Sequence, residues 1–279
     1  MKGILFGGCS FTWGQGLYFY SELNRLINPI NEFTYRRDEL NDAHFKFRDT
    51  LRFPRLVANH FNTFEVVKLL NGGSEDETFE FFDIIFDHTR DGANHLSHDK
   101  LFHDDIEYIV IQTSQIWRNK FWFELDGVME FAGLYPSNKH IGGVVGYNEE
   151  KFLRWMSKNN VTLEQWMETH KIRQFERLKE KLLYYENLGI KTKLLCWETD
   201  LLPFIKKDLF FDDRLITFEY KKNVYDNIWQ MHLENKELTI KHDPYFEEQI
   251  QDHHPSKECH RLIANAIIKS IENDKKTII

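Results

Sequence analysis

Three residues of this 279-residue chain have the types and spacing for nucleophilic chemistry: Ser10, His254 and Asp252. A hydroxyl is unreactive by itself and needs a base, usually a histidine oriented by a carboxylate, together with donors for the oxyanion it creates. Ser10 stands where the opening stretch MKGILFGGCSFTWGQGL passes from an apolar run, 4–6, through Gly7 and Gly8 into a tight turn. His254 precedes Pro255, which restricts it to an extended backbone, and Asp252 lies two positions earlier, a carboxylate able to fix a histidine tautomer. For the donors, Gly72 or Gly73 offers an unobstructed backbone N–H and Ser114 a hydroxyl, although each alone also reads as an ordinary turn glycine or strand-end hydroxyl.

These positions are far apart in the chain, so the elements between them must bring them together. Short aliphatic and β-branched runs at 4–6, 64–70, 106–112, 191–197 and 214–219 predict five strands buried on both faces. Helical spacing lies between them: 53–61 with Pro54 early, 78–86, and 172–188, where Ile172, Phe175, Leu178, Leu182 and Tyr185 share a face and Gly189 stands where a left-handed cap belongs. An amphipathic stretch with Phe152, Trp155, Met156, Leu163, Trp166 and Met167 precedes the last of these. Thr162 and Gln165 there read as a capping box. A final helix spans about 256–271, with Leu262, Ile263, Ala266 and Ile267 inward. Alternating strand and helix predicts a parallel α/β sheet covered on both faces, in which loops after the carboxyl ends of the strands open on one edge. Ser10 follows the first strand, Gly72 and Gly73 the second, and Ser114 the third. Residues 18–51, 118–147 and 221–250 exceed a minimal version of this pattern and read as ordered insertions over one end of the sheet, within a single domain.

Composition narrows the partners. A formal charge of −8 without a basic stripe argues against nucleic acid, and no apolar run approaches a membrane span. Cys9, Cys196 and Cys259 are too few and too scattered for a disulfide framework, which fits reduced thiols and, with no signal-peptide pattern at the amino terminus, a cytoplasmic address. A metal reading of His253, His254, Cys259 and His260 lacks a second ligand cluster, so no metal is expected. Gly14-Gln15-Gly16 lacks the third glycine of a dinucleotide fingerprint, and no Gly-Lys-Ser/Thr follows Gly7-Gly8, so no cofactor is expected either.

Gly8-Cys9-Ser10-Phe11, the glycine-rich turn at 72–73, the polar strand end Gln112-Thr113-Ser114-Gln115 and Asp252-His253-His254-Pro255-Ser256 together resemble, in order, the four blocks of the SGNH, or GDSL-like, hydrolases. The resemblance implies a three-layer flavodoxin-like α/β fold with a five-stranded parallel sheet, and a serine hydrolase acting on a small-molecule or glycan acyl ester. It gives Ser10 the role of nucleophile, His254 that of base and Asp252 that of its orienting carboxylate. The oxyanion donors would be the Ser10 N–H, Gly72 or Gly73, and Ser114; Thr12 and Arg118 are candidates for contact with substrate. Cys9 stands where the family usually has aspartate. Ser114 replaces its third-block asparagine, and Gln251 occupies the usual place of the carboxylate three before the histidine. These departures leave two alternatives: a binding module of the same fold that recognises a glycan or an anion without turnover, and a nucleophilic Cys9.

Overall fold

A computed structural model describes residues 1–8, 12, 17, 42–67, 75–86, 103–114, 120–133, 135–136, 144–145, 149–197, 199–239 and 255–277. Strand β1 (Gly3–Gly7) is followed by helices α1 (Asp42–Leu51) and α2 (Phe53–His60) and by strand β2 (Glu65–Val67). Helix α3 (Glu75–Phe86) leads to β3 (Ile106–Gln112), and a hairpin of β4 (Lys120–Leu125) and β5 (Val128–Gly133) follows. Helices α4 (Glu149–Lys158) and α5 (Leu163–Asn187) deliver the chain to β6 (Lys191–Leu195). A second hairpin of β7 (Phe218–Tyr220) and β8 (Asn223–Tyr225), then α6 (Ile228–Glu234) and α7 (Lys257–Thr277), follow; the remaining described elements are a two-residue strand pair, Tyr135–Pro136 with Val144–Val145, and short helical turns, among them Leu202–Ile205.

Strands β2-β1-β3-β6 form a four-stranded sheet in which every pair is parallel. Alternate side chains of its strands enter two different cores, which is why the strands read as nearly unbroken apolar runs. Ile4, Phe6, Tyr108 and Val110 pack with Phe53 and Val57 of α2 and with Ile263 and Ile267 of α7. Leu5, Ile109 and Ile111 pack on the other side with Phe79 and Phe82 of α3 and with Leu178, Leu182 and Tyr185 of α5.

The fifth expected strand, 214–219, divides in two. Its first part lies beside β6 through a single parallel bridge, Leu194 with Leu215, held by Leu194 N to Arg214 O at 2.8 Å and Ile216 N to Leu194 O at 2.9 Å. Its second part turns away as β7, drawn into an antiparallel hairpin whose tip residues, Lys221 and Lys222, have φ of 48° and 70°. Two consecutive left-handed residues make the tight turn whose twist suits a two-residue hairpin.

The three segments read as insertions differ from one another. Only residues 42–51 of the first are described, as α1. In the second, β4 and β5 join through Asp126 and Gly127, both at positive φ, and Phe121, Phe123 and Leu125 pack with Phe152, Met156 and Trp166 in a third apolar cluster. In the third, Tyr225, Ile228, Met231 and Leu238 belong to the core shared with α7, and Ile228 N and Trp229 N donate to Cys196 O and Trp197 O just past β6, each at 3.0 Å.

Helix α5 carries the expected capping box, with Gln165 N donating to Thr162 Oγ1 and Thr162 N donating to Gln165 Oε1, and Gly189 follows it at φ 82°. Its buried ridge is Trp166, His170, Gln174, Leu178, Leu182 and Tyr185, so Ile172, expected inward, is 41 % exposed. Steps of four residues drift by roughly 40° each around a helix, which lets one helix serve the third cluster at its start and the sheet further on. No helix among the described residues is long and apolar enough to cross a membrane.

Candidate functional site

The carboxyl edge of the sheet is built from β1 outward. Gly8 leaves β1 against Thr12 and Gln112: a Cβ on Gly8 would stand 2.3 Å from Thr12 Oγ1 and 2.8 Å from Gln112 Cβ, so only glycine fits. Thr12 donates its hydroxyl proton to Gln112 Oε1 at 2.8 Å, and both side chains are buried. Thr12, a candidate for substrate contact, is therefore an anchor between the first loop and β3.

Past the end of β3, Thr113 accepts from Trp197 N at 3.0 Å, tying the third strand end to the fourth. Ser114 N donates to Glu75 Oε1 at 2.9 Å. Glu75 is buried in the first turn of α3, where the helix dipole favours a negative charge. Ser114 Oγ is buried with no hydrogen-bond partner among the described residues. Glu75 is a residue that sequence reasoning missed. Its signal was position alone, an acidic residue directly after the glycine-rich turn.

The start of α7 reaches the same edge. Ser256 caps it, accepting from Cys259 N at 3.2 Å, while Ser256 N donates to Leu238 O at 2.7 Å and Pro255 bridges Thr239. His260 is wholly buried and stacks on Phe53, whose ring meets Phe6 near the end of β1. Its Nδ1 accepts the Phe53 N–H at 3.1 Å, satisfying a first-turn donor of α2. His232 Nε2 and Cys259 Sγ are 3.1 Å apart, and the His232 ring lies against Trp197, two residues beyond β6. Burial pushes the Cys259 thiol far above its ordinary range, with Glu258 adding to the shift, so the sulfur stays protonated. The other end of α7 meets the amino edge of the sheet, where Lys275 Nζ approaches Met1 Sδ at 3.4 Å. The helix thus runs antiparallel to the strands and presents its amino terminus to their carboxyl ends.

Of the residues assigned to chemistry, Ser10, Gly72, Gly73, Arg118, Asp252 and His254 lie outside the described residues, as do Cys9 and His253. The chain on either side of them is described. Gly8 and Thr12 flank Ser10 by two positions each, and Pro255 is bonded to His254; all three belong to the carboxyl edge. Among the described residues no group of three His, Cys, Asp or Glu side chains converges in a metal-binding arrangement.

A cleft of about 490 Å³ opens elsewhere, between α7 and residues 212–219. Its buried cation, Lys193, is already engaged by Asp213 O and Asp274 Oδ1, each at 2.8 Å. That cleft lies toward the far end of α7 from the carboxyl edge and contains none of the residues assigned to chemistry. No family model, no curated protein and no solved structure matches the chain.

Proposed function

We propose that the chain is a serine hydrolase of the SGNH type that cleaves a small acyl ester, as an esterase or a deacylase of a glycan or lipid. The observation that carries this reading is that β1, whose end leads toward Ser10, is joined near that end to the first turn of α7, next after His254, through Phe6 on Phe53 and Phe53 on His260. The strand order β2-β1-β3-β6, with Leu215 bridged outside β6, supports a flavodoxin-like sheet in which that short segment is the fifth strand. Cys196 and Cys259, the cysteines among the described residues, are buried and not in a disulfide, which suits a reducing compartment, and we assign the cytoplasm.

In this mechanism His254, oriented by Asp252, takes the Ser10 proton as the Ser10 oxygen bonds to the acyl carbon. The oxyanion that results accepts from the Ser10 N–H, from Gly72 or Gly73 and from Ser114 Oγ, whose proton has no other taker among the described residues. Collapse breaks the bond to the alcohol, which leaves with the proton from His254. Water, deprotonated by His254, then releases the acid and restores Ser10. The test is turnover of a panel of short acyl esters by the wild-type chain and by Ser10→Ala. The reading requires turnover that vanishes in the variant with the thermal midpoint unchanged; retained turnover in Ser10→Ala refutes it.

A second reading, a non-catalytic binding module, is favoured by one observation. The Ser114 N–H is already spent on the buried side chain of Glu75, an acceptor beside the place where an oxyanion would form. It requires saturable binding of a glycan or an anion with no turnover of any ester in the panel.

A further inference from the structure

Helix α5 buries a carboxamide that no described residue engages. Gln174 is 7 % exposed and makes no hydrogen bond with a described residue, although it stands on the inward ridge of the helix between His170 and Leu178. Three contacts put this part of the ridge at the carboxyl edge of the sheet. Arg177, three positions on, is ion-paired with Asp76 in the first turn of α3, next to the Glu75 that accepts the Ser114 N–H. Lys171, three positions back, faces Asp200, beyond the end of β6. The His170 ring, one turn back, meets that of Phe121 near the start of β4, with 6.1 Å between centroids. Gln174 thus shares its edge with Ser114 Oγ, which is also buried and without a partner among the described residues. A buried carboxamide without partners costs stability, so its presence calls for a group that completes its hydrogen bonds.

We infer that Gln174 is a recognition residue of this edge and that the ligand it takes is a neutral glycan. A carboxamide offers one acceptor oxygen and two N–H donors, and sugar hydroxyls both donate and accept, so they complete both sides of it. A lipid chain completes neither and would leave the amide buried and unpaired. An anion would meet the donors alone, and the cations flanking Gln174, Lys171 and Arg177, already face Asp200 and Asp76. The inference rests on the hydrolase reading for the choice it narrows, between a glycan ester and a lipid ester.

The test is calorimetric binding of ligands that carry no ester, so that turnover plays no part. The wild-type chain and Gln174→Met, an apolar replacement of similar length, are titrated with cellotriose, xylotriose, mannotriose and triacetylchitotriose, and with 1-octanol and inorganic phosphate for comparison. The expected result is saturable binding of at least one trisaccharide that weakens about 10-fold in Gln174→Met, the scale of a lost hydrogen bond with its partner left unpaired. The thermal midpoint of the variant rises on the order of 2 °C, because an unpaired amide has been replaced by an apolar group. No trisaccharide bound by the wild type, tighter binding of 1-octanol or phosphate than of every trisaccharide, or equal sugar affinity in the two chains overturns the inference. Should Gln174→Met fail to fold, Gln174→Leu decides the question in the same way. Ester turnover by the wild type and by Ser10→Ala is assayed separately. Its absence removes the hydrolase reading and leaves a sugar site that depends on Gln174, whereas Ser10-dependent turnover with equal sugar affinity in Gln174→Met overturns the inference alone.

Discussion

Gly8 has no room for a side chain, and this makes it a sensitive position at the carboxyl edge. Gly8→Ala would press a methyl group into Thr12 and Gln112, both buried and bonded to each other. Overpacking of this kind costs about 1–3 kcal/mol, and the expected outcome is a lower urea midpoint together with loss of any reaction at Ser10. Cys259 makes the opposite point. Its thiol is buried, lies against His232 and is held protonated by desolvation, so it is expected to resist iodoacetamide in the native protein and to react fully after unfolding. Peptide mapping of the alkylated protein checks this, and native labelling at Cys259 would contradict it. Residue types and order put Ser10, Ser114 and His254 forward as candidates, and of these Ser114 lies among the described residues. Glu75 and the acceptor role of Gln112 were not legible, because each depends on a contact between segments: Glu75 meets Ser114 39 positions on, and Gln112 meets Thr12 100 positions back.

At the scale of elements, the sequence is most readable where structure is local. The capping box of α5, the proline at the start of α2 and the left-handed Gly189 are short-range features, and all are present. Thr162→Ala removes the cap and is expected to cost about 1 kcal/mol, read as a shift of the urea midpoint. The division of 214–219 into a bridge and a hairpin strand was not readable, because an apolar run does not say where one pairing partner is exchanged for another. The outer edge of the sheet is fastened there by Arg214, whose Nε and Nη2 reach Glu186 Oε1 and Oε2 at 2.7 and 2.8 Å. Burial alone would push the Glu186 carboxyl up, but Arg214 and Thr192 outweigh it and hold the group below its ordinary value of 4.5. A carboxylate with a lowered folded value contributes stability that is complete above the ordinary value and is lost as the pH falls through the folded one. Glu186→Gln is therefore expected to lose about 1 kcal/mol at neutral pH, the scale of a partly exposed, screened pair, and to converge on the wild type well below pH 4.5. Urea midpoints for both chains at the two pH values check the sign.

For the whole molecule, the decisive feature is direction. Helix α7 runs from the carboxyl edge of the sheet, where His260 stacks on Phe53, to the amino edge, where Lys275 meets Met1. That antiparallel course places the start of α7 on the side of the sheet where β1 ends, joined to it through Phe53 and Phe6. The strand-helix alternation made a parallel sheet legible, and the parallel sheet made a shared edge legible. The course of residues 221–239 was not, since a helix of only seven residues shows too few turns for its buried side to stand out, and here that side joins the main core. The central claim is that the Ser10 hydroxyl and the His254 imidazole act on each other across this edge. Its most direct test is the rate of fluorophosphonate labelling at Ser10 in the wild-type chain and in His254→Gln, measured at equal folded fraction. The prediction is labelling at Ser10 that falls on the order of 10³-fold or more when the imidazole is removed. Labelling at the same rate in both chains, or none at Ser10 in either, would contradict it.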